Sequence, residues 1–292
     1  MSMRWCALVL AGMVVLQATS SKATPMEWSD ILALPQTPAD AKIAYGKGPS
    51  QFGELRLPMS PGPFRVVVLI HGGCWESAYG LDHVRSLAGA ITALGFATWS
   101  LEYRRLGEIG GGWPGTLLDV GSGVDALRGL AKTYPLDLKR VTAVGHSAGG
   151  QLALWAAGRS GLAATSDVAQ KDPLAIQSVV ALAAISNLEV YSAAKGSCNE
   201  SALRLLGGAA SKVPQRYRDA LPTLPASTTV HLVHGSDDAV VPIEMSRAYA
   251  HMRAQSHAPG SLLEVAGAGH FDVIGPGSRA WPQVLKALNA GR

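Results

Sequence analysis

The chain has 292 residues, 48% apolar and 16% charged, with a formal net charge of +4. A chain this long and this apolar can bury a sizeable core, in one large domain or two small ones, which excludes a disordered polypeptide. Its lysines and arginines are scattered singly, so the positive balance is incidental surface charge and excludes an electrostatic nucleic-acid face.

Residues 1–23 read as an export signal. Arg4 supplies the positive start, residues 5–16 are apolar, and Ser21-Lys22-Ala23 offers small residues for cleavage. An apolar stretch of about 12 residues falls short of the roughly 20 that a spanning helix needs. The expectation is a periplasmic or secreted protein with no membrane anchor after cleavage, and a single domain over residues 24–292. Cleavage takes away Arg4 and Lys22 and no acid, leaving a net charge of +2. Cys74 and Cys198 then remain. One pair is no framework for a chain of this size, and Cys74 lies in a turn needed for chemistry, so both are expected to be unpaired.

Residues 24–60, rich in proline and glycine, read as an irregular lead-in with edge strands near 42–45 and 54–57. Val66-Val67-Val68-Leu69-Ile70 is a continuous apolar run, as expected of a strand covered on both faces. Similar runs follow at 97–101, 141–144, 179–184, 230–233 and 262–265. Between them, Leu117, Val120, Val124 and Leu127 form one helical stripe. Trp281, Val284, Leu285 and Leu288 form another, with Ser278 as its expected cap and Pro282 in its first turn. Strands alternating with helices predict an α/β fold, a mostly parallel sheet with helices on both faces. The segment 187–225 breaks this rhythm. It holds short helical pieces, including 202–206, and reads equally as a cap over the strand ends or as a plain connection.

Ser147 lies in Gly145-His146-Ser147-Ala148-Gly149, directly after an apolar strand. This strand-to-sharp-turn pattern exposes a serine hydroxyl at the end of a sheet, and its glycines let the strand and helix backbones pass closely. Serine is a weak nucleophile and needs a base oriented by a carboxylate. His270, in Gly267-Ala268-Gly269-His270-Phe271-Asp272 after the last strand, fits the base. For the acid, Asp237 and Asp238 compete. Asp238 leads, standing four residues after His234 and three before Val241-Pro242, while Asp237 suits a local turn brace. The chain order Ser147, Asp238, His270 is that of α/β-hydrolases.

Donors for a developing oxyanion are expected in Ile70-His71-Gly72-Gly73-Cys74-Trp75, after the strongest strand. The backbone N–H groups of Gly73 and Cys74, with Ala148 as a third, are assigned to it. His71, His146 and His234 each stand at a strand end and read as turn braces. No pair has metal-ligand spacing such as H-E-x-x-H, so no metal is expected. Glu102-Tyr103-Arg104, Trp113-Pro114 and Asp119 read as a buried brace with Arg104 paired to Asp119, or else as substrate contacts through Tyr103 or Trp113. Trp75 reads as a pocket wall or as packed core.

Taken together, HGG-x-W, Tyr-Arg, Trp-Pro with a later Asp-Val, GHSAGG, HG-x-x-D-x-x-V-P and GAGHF resemble the α/β-hydrolase esterases. The likeness is nearest to the bacterial feruloyl-esterase-like and kynurenine-formamidase-like group, and it spans roughly residues 42–290. By motif, Ser147 matches the nucleophile, Asp238 the acid, His270 the base, and Gly72, Gly73 and Cys74 the oxyanion turn. Cys74 stands where that group often has tyrosine. The resemblance implies an eight-stranded sheet, no cofactor, and hydrolysis of a small-molecule ester or amide through an acyl-enzyme. The leading expectation is a carboxylesterase for small or aromatic acyl groups. The alternatives are an arylformamidase acting on N-formylkynurenine and an inactive binding module on the same fold.

Overall fold

The computed structural model describes residues 24–290, so the expected export signal lies outside the described residues. Eight strands form one sheet: β1 (Ala41–Ala44), β2 (Phe52–Arg56), β3 (Phe64–Ile70), β4 (Ala97–Leu101), β5 (Leu136–His146), β6 (Ser178–Leu182), β7 (Thr229–Gly235) and β8 (Gly260–Val265). Their spatial order is β1-β2-β4-β3-β5-β6-β7-β8. β1 and β2 run antiparallel at one edge, and the strands from β4 to β8 are parallel.

The helices are α1 (Trp28–Ala33), α2 (Arg85–Ala93), α3 (Gly115–Asp125), α4 (Leu127–Leu130), α5 (Ala148–Gly158), α6 (Leu188–Ala193), α7 (Ser197–Leu206), α8 (Pro214–Ala220), α9 (Glu244–Gln255) and α10 (Trp281–Asn289). They cover both faces of the sheet, and β3 shows how. Val66, Val68 and Ile70 enter one core with Leu117, Val120, Val124 and Leu152, while Val67 and Leu69 enter the other with Leu87, Ile91, Val284 and Leu288. The period-2 alternation of a strand thus feeds two cores at once. Each such fully buried side chain contributes about 1.5–3 kcal/mol.

Three boundaries differ from the sequence expectation. β5 begins at Leu136, because Phe64 and Arg65 pair with Leu136 and Asp137 before a register shift brings Val66 opposite Val141. β6 ends at Leu182, where Ala183 turns into a left-handed conformation (φ 46°). Ser278 does not cap α10, whose N-cap is Ala280; instead its Oγ accepts the Ala280 N–H (3.1 Å) and donates to the Asp272 carbonyl (2.6 Å).

The segment 187–225 folds as α6, α7 and α8. Leu188, Tyr191, Ala202, Leu205, Leu206 and Ala220 are buried in the first core. Its path overturns the expectation for the cysteines. Cys74 and Cys198 form a disulfide, their Cα atoms 5.1 Å apart across 124 residues of sequence. That separation suits a disulfide, and only the fold of this segment brings the two together.

Candidate active site

The parallel strands all end at one rim, and the loops leaving that rim carry the residues singled out in the sequence. Ser147 follows β5 with φ 56° and ψ −119°, outside the regions ordinary residues adopt. This conformation turns the chain from strand into α5 within one residue. It is held by the Ser147 N–H donating to the Leu182 carbonyl (2.9 Å) and by close backbone passage beneath it. A Cβ on Gly149 would overlap the carbonyl oxygens of Ile70 and His71, so only glycine fits. Ser147 itself is 2% exposed.

Asp238 and His270 meet directly. His270 Nδ1 donates to Asp238 Oδ2 at 2.7 Å, and the Asp238 side chain is fully buried. The other Asp238 oxygen accepts the N–H groups of Val240 and Val241, each at 2.8 Å. His234 Nε2 lies 3.2 Å from Oδ2 and also donates to the Val241 carbonyl (2.9 Å). Burial alone would raise the Asp238 carboxyl's pKa. The hydrogen bonds from His234 and His270 outweigh it and hold the group well below the usual carboxylate range. Asp237, by contrast, is exposed and accepts from the neighbouring Ser236 hydroxyl (2.7 Å).

The His270 loop is tied to the Ser147 turn by His146, whose Nε2 donates to the His270 carbonyl (3.0 Å), with the two rings 4.6 Å apart. With Nδ1 engaged by Asp238, the Nε2 of His270 remains for a proton from a hydroxyl.

The turn after β3 lies alongside. A Cβ on Gly72 would stand 2.7 Å from the His146 carbonyl oxygen and 3.1 Å from Ser147 Cβ. Gly73, Cys74 and Trp75 then take positive φ in succession, at 97°, 54° and 58°. Among the described residues no protein group accepts the N–H of Gly73, Cys74 or Ala148. Gly72 differs: its N–H donates to His83 Nε2 (3.3 Å), so this amide is engaged in holding the turn. Burial lowers the His83 pKa to about 3, and it likewise lowers that of His146 well below the ordinary histidine value.

A buried network braces the same turn. His71 Nε2 meets Glu102 Oε1 (2.8 Å), Arg105 pairs with the same oxygen (3.0 Å), and Tyr103 donates its hydroxyl to the His71 carbonyl (2.8 Å). Arg104 and Asp119 form the expected pair through two hydrogen bonds of 2.7 Å. Of the two readings for Trp75 and Tyr103, packing is what their surroundings provide. Both are wholly buried, and the Trp75 indole donates to Gln151 Oε1 (3.2 Å). Trp113 is half-buried, with its indole donating to Asp167 (3.0 Å).

Several contributors carried no sequence signal. His83, Glu76 and Gln151 belong to no motif, and their partners come from distant segments. A cavity of about 650 Å³ lies between the 187–225 segment and α9, but none of Ser147, Asp238 or His270 lines it. Among the described residues no group of three His, Cys, Asp or Glu side chains is placed to hold a metal ion.

The whole molecule is similar to several solved esterases. A truncated carbohydrate esterase from gut microbiota superposes with a TM-score of 0.74 at 18% identity, covering 92% of this chain and 99% of that one. Esterase B from Lactobacillus rhamnosis (HN001) gives 0.72 at 19% identity, covering 88% and 87%. A thermophilic esterase from the Planctomycetes species Thermogutta terrifontis gives 0.69 at 19% identity, covering 88% and 92%. At such identities the likeness establishes the α/β-hydrolase fold. No curated protein matches in sequence. The family model described as BD-FAE matches residues 55–252, more than half of the chain and all of it from β2 into α9. On this match the chain belongs to the BD-FAE family of α/β-hydrolase esterases.

Proposed function

We propose that the protein is a carboxylesterase-type serine hydrolase cleaving esters of small or aromatic acyl groups, with Ser147, His270 and Asp238 as its triad. The observation that carries this reading is the 2.7 Å hydrogen bond from His270 to a fully buried Asp238, on a loop tied to the strained Ser147 turn. In this mechanism Ser147 Oγ attacks the ester carbonyl as its proton passes to His270 Nε2. Asp238 keeps the imidazole in the tautomer that accepts there and stabilises the imidazolium once formed. The amides of Gly73, Cys74 and Ala148 receive the negative charge that develops on the carbonyl oxygen. Collapse expels the alcohol, which takes the proton from His270. Water, activated by the same imidazole, then releases the acid from Ser147.

The 187–225 segment acts as a cap in this reading, since α7 is bonded to the oxyanion turn. The disulfide supports export to an oxidising compartment, where such bonds persist. Among the described residues no helix is long and apolar enough to cross a membrane. The test is a panel of p-nitrophenyl and aryl-acid methyl esters, with N-formylkynurenine alongside. Turnover of the esters above the formamide is expected. Preferential turnover of the formamide would identify an arylformamidase, and turnover of neither by folded protein a binding module.

A further inference from the structure

Three consecutive positive φ angles, two of them on residues that carry a Cβ, make the turn at Gly73-Cys74-Trp75 a conformation that surrounding contacts must hold. On one side it is held by the backbone of Leu106, whose N–H donates to the Trp75 carbonyl (2.8 Å) and whose carbonyl accepts from Ser77 (3.0 Å). On the other side stands α7. Cys198 is bonded to Cys74, and the Ser201 hydroxyl donates to Glu76 Oε1 (2.5 Å). Arg204 pairs with the same carboxylate, and the Leu205 carbonyl accepts the Trp113 N–H (2.8 Å). Residues 198, 201 and 205 stand at i, i+3 and i+7, one face of a helix. That face is fastened across the residues assigned to donate to the oxyanion.

We propose that α7 is a clamp that sets the position of the oxyanion amides, with Cys198 and Ser201 as positioning residues, so that the catalytic rate depends on the Cys74–Cys198 disulfide. The proposal rests on the serine-hydrolase reading above. Neither side chain touches the reacting atoms. Each acts through the backbone of Cys74 and Glu76, to which the Gly73 and Cys74 N–H groups are rigidly joined. Opening the disulfide with dithiothreitol delivers two electrons and two protons, leaving two thiols in the protein as the reductant closes to its own cyclic disulfide. The turn is then free to relax, and a misplacement of about 1 Å at such a site costs up to about 100-fold in rate.

The experiment measures kcat and KM for p-nitrophenyl acetate, and the affinity of an aryl boronic acid, on oxidised, dithiothreitol-reduced and Cys198→Ser protein. All three are assayed well below their melting temperatures, and free thiols are titrated in each. The boronic acid forms an anionic tetrahedral adduct on serine and so reports on the oxyanion donors. Reduction and Cys198→Ser are expected to lower kcat by about tenfold or more, leave KM within about twofold, and weaken the boronic acid by the same factor as kcat. Ser201→Ala in oxidised protein is expected to lower kcat by about threefold, with Ser201→Thr restoring it, which holds even if Cys198→Ser does not fold. Unchanged kcat and boronic-acid affinity after two thiols appear would overturn the clamp, as would a rise in KM at constant kcat. Absence of turnover in oxidised protein, or turnover that survives Ser147→Ala, would instead overturn the serine-hydrolase reading and the clamp with it.

Discussion

Asp238 takes bonds from two backbone amides and two imidazoles while its side chain is shut away from water. A carboxylate so placed is held ionised, and it fixes which nitrogen of His270 carries the proton. Its neighbour Asp237 lies in solvent with only a local partner. Asp238→Asn should therefore lower kcat by about 10³–10⁴, through the wrong imidazole tautomer, while Asp237→Asn should stay within a few-fold of the parent. Steady-state kinetics on one ester decides the matter, and the reverse ranking would reassign the acid. Ser147 and His270, the proposed nucleophile and base, could be singled out from sequence, because each sits in a short glycine-bounded motif after an apolar run. The contact of His270 with Asp238 rather than Asp237, on which the proposed acid rests, needed coordinates, since a one-residue step within a loop leaves no periodic trace.

At the scale of elements, the apolar runs marked all six strands from β3 to β8: β3, β4, β6 and β7 are buried along nearly their whole length, and the half-covered edge strand β8 still packs Leu262 and Leu263 against the two cores. The ends of those runs were less legible. The first residues of β5, Leu136 to Arg140, mix apolar and polar side chains and precede a register shift, and β6 stops where a backbone bond to β7 redirects the chain. The 187–225 segment was the least legible, since α6, α7 and α8 pack by contacts to distant parts of the chain rather than by a long stripe of their own. For that reason the Cys74–Cys198 pairing could not be seen from spacing. Closing a loop of this length constrains the unfolded chain, so Cys198→Ser should lower the unfolding free energy by about 2–5 kcal/mol in urea titrations. A loss well under 1 kcal/mol would mean that the native contacts of α7 hold without it. Gly72→Ala tests the neighbouring close approach. Its Cβ would press on the His146 carbonyl and on Ser147, so kcat should fall by about 100-fold with much less effect on melting.

For the molecule as a whole, the buried histidines set the response to acid. His83 and His146 lie in the core beside the site and are neutral in the folded state, with pKa values lowered chiefly by burial. Unfolding returns them to about 6.5, so below that pH the unfolded chain binds protons that the folded chain refuses. Their contribution is complete above about pH 6.5 and is lost as pH falls toward about 3 for His83, at about 1.4 kcal/mol per pH unit for each group. Asp238 and Glu102, held below the ordinary carboxylate range, add a further loss only at lower pH. Urea midpoints should therefore decline already between about pH 7 and pH 5. A flat profile over that interval would place water or a charge beside these rings.

The central claim is that Ser147 is a nucleophile activated by His270. Intact-protein and peptide mass spectrometry after treatment with a fluorophosphonate addresses it most directly. One equivalent of label is expected on Ser147, none in Ser147→Ala, and labelling slowed by at least about 100-fold in His270→Ala. Ester hydrolysis that continues while Ser147 stays unlabelled, or equal labelling without His270, would contradict the account.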